Sequence, residues 1–382
     1  VFFQIVTQGR LLKPMNVSNV VFQNAYVVIL AVGMLLCILT GGNIDLAVGS
    51  VVALISAFAG QMIIVWHWNV YLSIALCLLA GVAVGMWQGF WIAYVRIPAF
   101  IVTLSGMLVF RGLTLLVLNG MTLGPFPDNY LMFSTGFIAK EAKMMLLGVN
   151  VNIVCLITGV AVALIFCVVQ IANNRSRKRK GYEAEPIPSL LIKMLVISIA
   201  LIWFFTLLAQ YQGIPSVLVI LGILLIVYTF FTNKTVAGRH IYALGGNEKA
   251  ARLSGINTNR LLFFAYVNMG FMAAIGGLVF AARLNSSSPV TGDGFELDAI
   301  GACYIGGASA YGGIGTVGGT LIGALIMGVL NNGMSILGIN SNLQRVVKGL
   351  VLLGAVAFDV VSKMNFDLFP RRKKTVVATE KN

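Results

Sequence analysis

Long apolar runs separated by short polar connectors dominate the chain. Two of them, "VVFQNAYVVILAVGMLLCILT" (20–40) and "VNIVCLITGVAVALIFCVVQIA" (151–172), reach the roughly 20 residues that a helix needs to cross a bilayer. With a shortened apolar stretch before residue 8, the chain contains about twelve apolar segments, two of them short or broken. We therefore predict an all-α polytopic membrane protein with about 10–12 transmembrane helices. The run at 151–172 belongs to a predicted segment at 144–172. The other predicted segments are 48–65, 71–95, 100–118, 189–210, 214–232, 261–282, 298–310, 320–338 and 343–362.

Two glycine-rich stretches interrupt this apolar pattern. "TGGNIDLAVGS" (40–50) places polar residues between apolar segments, and "IGGASAYGGIGTVGGT" (305–320) contains seven glycines in 16 residues. Irregular backbone inside a membrane requires protein or a water-filled cavity to satisfy it, and transporter sites often lie at interrupted helices. We therefore predict two pseudo-repeated halves, each with a broken helix. Glycines that only allow close helix packing would give the same pattern.

The Lys and Arg residues orient the predicted helices. The densest clusters are "NNRSRKRK" (173–180) and "RRKK" (371–374), and placing both in the cytoplasm assigns 18 basic residues to the inside and seven to the outside. Arg111 remains in the middle of a span. This bias predicts a cytoplasmic C-terminus, with a cytoplasmic loop at 233–258 and a cytoplasmic tail at 363–382.

Composition narrows the function classes. Only 10% of the residues are charged, against roughly a quarter in soluble domains, and the net charge of +14 comes from short connectors, so nucleic acid is not an expected partner. The five cysteines are scattered among apolar runs and the two histidines are isolated, so neither a disulfide framework nor a metal site is predicted.

A polar insert, "ALGGNEKAARLSGINTNR" (243–260), lies between two apolar segments. Asn247 is suited to cap a short helix formed by "EKAARLS", and Gly255 is suited to end it. Ala250 and Ala251 would leave room for a partner to pack closely. So short a helix is not stable alone, which favours a docking element, although a solvated loop is the ordinary alternative.

If the protein performs work, no evident catalytic motif in the chain supplies the energy. "GGIGTVGG" lacks the Lys-Ser/Thr of a P-loop, and no nucleophile–base pair appears, so no enzymatic activity and no bound cofactor are predicted for this chain. An ion-coupled secondary transporter would need ionisable residues within the membrane. The few candidates are Asp45, Arg111, Asp298 and Asp359. This class stays open as the alternative to an importer driven by an external ATPase.

Several long motifs resemble permease subunits of bacterial ABC sugar importers that handle ribose, xylose, arabinose and galactose, and the likeness is greatest to xylose and multiple-monosaccharide permeases. The motifs are "GGNIDLAVGS", "GFWIAYVRIPAFIVTLSGMLVFRG" (89–112), "GRHIYALGGNEKAARLSGI" (238–256), "FELDAIGACYIGGASAYGGIGTVGGTLIGALIMGVLNNG" (295–333) and "VVKGLVLLGAV" (346–356). They extend over nearly the whole chain, which is expected to form one permease domain (1–382) with an extra helical hairpin at 144–210.

The resemblance implies a homodimer in the bacterial inner membrane, in contact with membrane lipid, with a fold like that of the vitamin B12 importer class. It also implies a cytoplasmic ATPase subunit that binds ATP and Mg²⁺, and a periplasmic sugar-binding protein. Residues 245–255 would be the coupling helix seated on the ATPase. The residues implied in coupling are Gly246, Asn247, Glu248, Ala250, Ala251, Arg252, Ser254 and Gly255.

Two further groups of residues are candidates for the sugar path and for docking of the binding protein. Path residues should be polar, since sugars offer uncharged hydroxyls; the candidates are Asn43, Asp45, Thr103, Ser105, Arg111, Asn331 and Asn332. Arg111 is expected to pair with Asp45 or, failing that, Asp298, unless it extends to the outer surface. The loops 120–137 and 285–296 would form an outer docking surface with the acids Asp128, Asp293 and Glu296, and with Ser287 accessible from outside.

Overall fold

The computed structural model describes residues 2–146, 149–183 and 185–363, and most of them are helical. The first helices are α1 (Phe2–Val6), α2 (Pro14–Leu39), α3 (Val48–Gly60, continued by a π-helical turn at Gln61–Val65), α4 (Val70–Ala93), α5 (Ala99–Leu118) and α6 (Asp128–Thr135). The next are α7 (Ile153–Arg179), α8 (Ile187–Ala209), α9 (Ser216–Lys234), α10 (Val236–Gly246) and α11 (Glu248–Leu253). The last are α12 (Thr258–Leu284), α13 (Phe295–Ile305), α14 (Val317–Ile336) and α15 (Ser341–Lys363).

Nine helices of the described chain are long and apolar enough to cross a membrane: α2, α3 with its π-helical turn, α4, α5, α7, α8, α9, α12 and α14. The all-α polytopic architecture is confirmed, but the expected 10–12 spans are too many by this measure. The segment predicted at 298–310 forms only the 11-residue helix α13, about 16 Å long and too short to span the hydrocarbon layer. Helix α15 is long enough but carries several charged side chains, among them Arg345, Lys348 and Asp359.

The core of the molecule forms around α2 and α12. Helix α2 is buried without interruption from Asn24 to Leu39, which explains why its sequence is apolar on every face. Helix α12 packs against α4 through glycines, because a Cβ on Gly270 would overlap the backbone of Gly81 and Gly85. The absence of side chains at these positions lets the two backbones approach closely, as in other membrane helix pairs.

The segment expected as an extra helical hairpin (144–210) contains two long helices, but its first residues are not helical. Its first residues form a short antiparallel pair between β2 (Lys143–Leu146) and β3 (Val149–Asn152), following β1 (Phe137–Ile138), which pairs with β4 (Ile214–Pro215). Helices α7 and α8 then pack on each other. Together with the start of α2 they form a small apolar cluster that is separate from the main core and includes Cys155 and Phe205. Both helices remain largely exposed at the periphery. Of the tail predicted at 363–382, residues 364–382 lie outside the described residues.

Candidate functional site

The polar insert forms the short helix α11, as its sequence predicts. The Asn247 side chain caps the helix by accepting a hydrogen bond from the Ala250 amide at 3.0 Å. After Ser254, Gly255 adopts a left-handed conformation (φ +82°) that favours glycine and ends the helix. The predicted cap and stop are thus confirmed, and they fix where the insert turns.

Glu248 ties α11 to the connection between α4 and α5. Its Oε1 atom accepts hydrogen bonds from the Arg96 guanidinium at 2.9 Å and the Arg252 guanidinium at 2.7 Å. Arg96 also donates to the side chain of Asn259 at the start of α12. Partial burial tends to raise the pKa of Glu248, but the hydrogen bonds and charges of the two arginines outweigh it and lower this pKa. The carboxylate is therefore ionised at neutral pH and links three parts of the chain.

The face that α11 presents to solvent differs from the expected one. Ala251 is buried within the chain itself, so it does not provide space for a partner, and this part of the prediction is wrong. Leu253 is instead 90% exposed, an unusual position for a large apolar side chain on a polar segment. The sequence did not indicate that Leu253 and Arg96 belong to this site, because only the fold shows which side of a two-turn helix faces outward.

Directly before α11, the end of α10 touches the end of α2 and the second glycine-rich segment. A Cβ on Gly245 would overlap the carbonyl oxygen of Leu39 and the backbone of Gly313. Gly313 also donates its amide to the Leu39 carbonyl at 3.2 Å, which joins the segment at 305–320 to the end of α2. A Cβ on Gly42 would likewise overlap the carbonyl oxygen of Ala310. The two interrupted segments therefore meet beside the end of α10, at what we call the glycine junction (residues 39–42, 245–246 and 310–313).

The path candidates on the first half of the chain do not converge on one site. Asn43 donates to the Thr40 carbonyl beside the glycine junction. Thr103 is buried and donates to the Ala99 carbonyl of its own helix at 2.9 Å, while Ser105 is exposed on α5. The hydrogen bond of Thr103 to its own helix is typical of a helix-stabilising side chain. The role of all three residues in the path stays a prediction.

Arg111 forms neither of the predicted carboxylate pairs. Its guanidinium donates to the backbone carbonyl oxygens of Pro289 and Thr291, at 2.8 and 2.7 Å. Asp45 instead accepts the Ala47 amide at 2.8 Å, which starts α3. Carbonyl oxygens of a non-helical loop have free lone pairs, so they satisfy the cation without a second charge.

Asp298 is the centre of a buried polar cluster between α2, α13, α14 and α15. It pairs with the Lys348 ammonium at 2.9 Å and accepts the Tyr26 hydroxyl at 2.8 Å. The Asn331 amide lies 3.5 Å from the same carboxylate, and its own Oδ1 is buried without a hydrogen-bond partner in the described structure. Asn332 points elsewhere and bonds Gln23 at 3.0 Å. Lys348 is one of the seven basic residues that the charge bias assigns to the outside, so the sequence did not indicate this pair.

The two loops expected to form an outer surface lie side by side. Leu123 and Ser287 exchange two backbone hydrogen bonds, at 2.9 and 2.8 Å. Ser287 itself is buried and donates to the Ser56 carbonyl at 2.6 Å, so the expectation that it is accessible is wrong.

Of the acids expected on the outer surface, Asp293 is exposed and pairs with Arg345 at 2.6 Å. Glu296 is partly buried, and Asp128 starts α6. Among the described residues there is no cluster of three His, Cys, Asp or Glu side chains that could hold a metal ion.

Comparison with known proteins identifies the family. The family model described as "Branched-chain amino acid transport system / permease component" matches residues 16–356. The chain belongs to this permease family. The permease is 37% identical to the xylose transport system permease protein of Haemophilus influenzae, with 95% of this chain and 93% of the relative covered.

Other relatives agree with this assignment. The xylose transport system permease protein of Escherichia coli K12 is 38% identical, with 95% of this chain and 89% of the relative covered. The ribose import permease protein of the same strain is 36% identical, with coverages of 90% and 85%. No solved structure matches the chain. The resemblance to sugar-importer permeases stated from the motifs is confirmed, and the permease is a multi-pass membrane protein.

Proposed function

We propose that this permease forms the sugar path of an ATP-driven, binding-protein-dependent monosaccharide importer and is moved by an ATPase that binds α11. The observation that carries the proposal is the glycine junction: the backbone at Gly245 touches Leu39 and Gly313, so a push on α11 reaches the end of α2 and the segment at 305–320 directly, and that segment in turn touches the first interrupted segment at Gly42. Glu248 adds a second link, through Arg96, to the start of α5.

The relatives support the type of substrate. Relatives named for xylose transport share 37–38% identity over 95% of this chain, and one named for ribose import shares 36% over 90%. We propose xylose first, with arabinose or galactose as further candidates. Such sugars are uncharged, so the path needs polar groups that bind weakly. Asn43 beside the glycine junction and the unsatisfied Asn331 oxygen are the best-supported contacts.

The proposed assembly contains two copies of the permease, a cytoplasmic ATPase and a periplasmic sugar-binding protein. ATP and Mg²⁺ would be bound by the ATPase, and the two loops joined at Leu123 and Ser287 would receive the binding protein. In the proposed fold, the two interrupted segments belong to corresponding halves of an architecture like that of the vitamin B12 importer permeases. Their contact at the glycine junction supports this correspondence.

Reconstituted vesicles test the proposal. With permease, ATPase and binding protein present, uptake of labelled xylose should require ATP and continue when ionophores collapse proton and sodium gradients. Uptake by the permease alone, driven by an ion gradient, would instead establish the secondary-transporter alternative. The buried Asp298–Lys348 pair is the group to substitute in that case.

A further inference from the structure

A polar cavity of about 440 Å³ opens where the ends of α7 and α9 meet the start of α8. Its lining includes Asn173, Arg177, Lys180, Tyr182, Lys193 and Lys234. The sequence suggested no more for this region than a basic turn, which the positive-inside bias alone would explain. A concave pocket that gathers basic side chains from three helices goes beyond that bias.

The pocket has an excess of positive charge. Four cationic side chains line it against one carboxylate, that of Glu185. Lys193 pairs with Glu185 at 3.2 Å. Arg177, Lys180 and Lys234 form no ion pair with any residue that the structure describes. Guanidinium and ammonium groups converging in this way suit a phosphate, whose oxygens accept charge-assisted hydrogen bonds.

The pocket lies at the depth of lipid headgroups. Helix α7 has 27 residues and is about 40 Å long, whereas the hydrocarbon core is about 30 Å thick. Roughly 20 residues counted from Ile153 therefore reach residue 172, so that the basic end of α7 extends into the headgroup layer.

Large apolar side chains lie exposed on the membrane side of the pocket. Val168 is 64% exposed on α7, and Leu191 and Leu195 are 57% and 63% exposed on α8. A ligand that fills the pocket with a phosphate could lay acyl chains along this surface.

We propose that this pocket binds the headgroup phosphate of an anionic phospholipid, with Arg177, Lys180 and Lys234 as the cationic contacts. The lipid would hold the peripheral α7–α8 hairpin against α9, whose last residue is Lys234, and α10 begins two residues later. The site is separate from the proposed sugar path and does not depend on that proposal.

Binding by the full-length chain in detergent tests the site, with native mass spectrometry to count bound lipid. The probes are phosphatidylglycerol, phosphatidylcholine and glycerol 3-phosphate. Arg177→Gln/Lys180→Gln should weaken phosphatidylglycerol binding about tenfold or more, since it removes two charge-assisted contacts. Lys178→Gln/Arg179→Gln is the matched control, because it removes the same two charges from exposed positions that do not line the pocket. It should leave binding nearly unchanged.

Three results would overturn the proposal. Equal losses in the two double variants would mean that the basic turn attracts lipid by charge alone. Equal binding of phosphatidylcholine would remove the selectivity for anionic lipid, and binding of glycerol 3-phosphate as tight as that of the lipid would identify a site for a free anion. Because Arg177 also bonds the Glu183 carbonyl within the turn, Lys234→Gln provides a second variant that leaves the turn intact and should weaken phosphatidylglycerol binding about threefold or more.

Discussion

At the residue scale, neighbouring glycines at the end of α10 have opposite surroundings. A Cβ on Gly245 would overlap backbone atoms of Leu39 and Gly313, whereas nothing lies within 4 Å of a Cβ on Gly246. We expect Gly245→Ala to lower ATP-driven uptake about tenfold or more and Gly246→Ala to leave it within about twofold. Alanine favours a helix over glycine by about 1 kcal/mol, so helix propensity cannot explain a loss.

This comparison is checked by transport assays on variants that reach the membrane in equal amounts. Equal activity of Gly245→Ala and Gly246→Ala would contradict the role of the glycine junction in coupling. A Gly245→Ala variant that still binds the ATPase but no longer transports sugar would support it most directly, because docking and transmission would then be separated.

Glu248 should act as a permanent charge in the physiological range. The two arginines lower its pKa, so its contribution is present above the ordinary glutamate pKa and is lost only as the pH falls through the still lower folded value. We expect Glu248→Gln to reduce uptake by a constant factor of about threefold between about pH 5.5 and 8, since the group is partly exposed and the ion pairs are weak. Glu248→Arg, which reverses the charge, should abolish uptake. If the ratio of uptake by the unchanged permease to uptake by Glu248→Gln fell toward one near about pH 5.5, Glu248 would be taking up a proton in that range.

At the scale of the element, α11 presents Leu253 to solvent, with 90% of the residue exposed among the described parts of the chain. We expect it to insert into an apolar recess of the ATPase, where burying a leucine contributes about 1.5–3 kcal/mol. Leu253→Ser should therefore weaken co-purification of the ATPase by about tenfold or more.

Val290→Ser is the control for Leu253→Ser, because Val290 is also an exposed apolar residue, at 74%, but lies in the outer-loop pair. It should leave the ATPase bound. Retention of the ATPase by Leu253→Ser would place the docking contact elsewhere on α11.

At the scale of the whole molecule, the direction in which the permease crosses the membrane can be tested with cysteine labels. Val290→Cys should react with an impermeant thiol reagent in intact cells, whereas Lys178→Cys, in the basic turn, should react only after lysis. Five native cysteines are present, four of them buried and Cys167 partly so, which keeps the background low. Reversed labelling would invert the topology and place α11 outside the cell.

The sequence alone determined the properties that depend on long or local patterns. Runs of about 20 apolar residues identify membrane helices, because a helix of that length crosses the hydrocarbon layer and satisfies its backbone polar groups within one segment. Asn247 and Gly255 identified the ends of α11, because a cap and a left-handed stop involve only neighbouring residues. The permease family followed from motifs spread along the whole chain.

Only the tertiary structure decided which residues meet across the chain. Arg111 was assigned to Asp45 on charge alone, but the fold offers it the carbonyl oxygens of Pro289 and Thr291. Asp298 pairs with Lys348, which lies 50 positions further along the chain on α15. Such pairings depend on how helices pack, and one-dimensional periodicity contains no information on which helix becomes a neighbour. For the same physical reason, the glycine junction and the basic pocket between α7, α8 and α9 became visible only in the folded molecule. Each is built from three separate stretches of the chain.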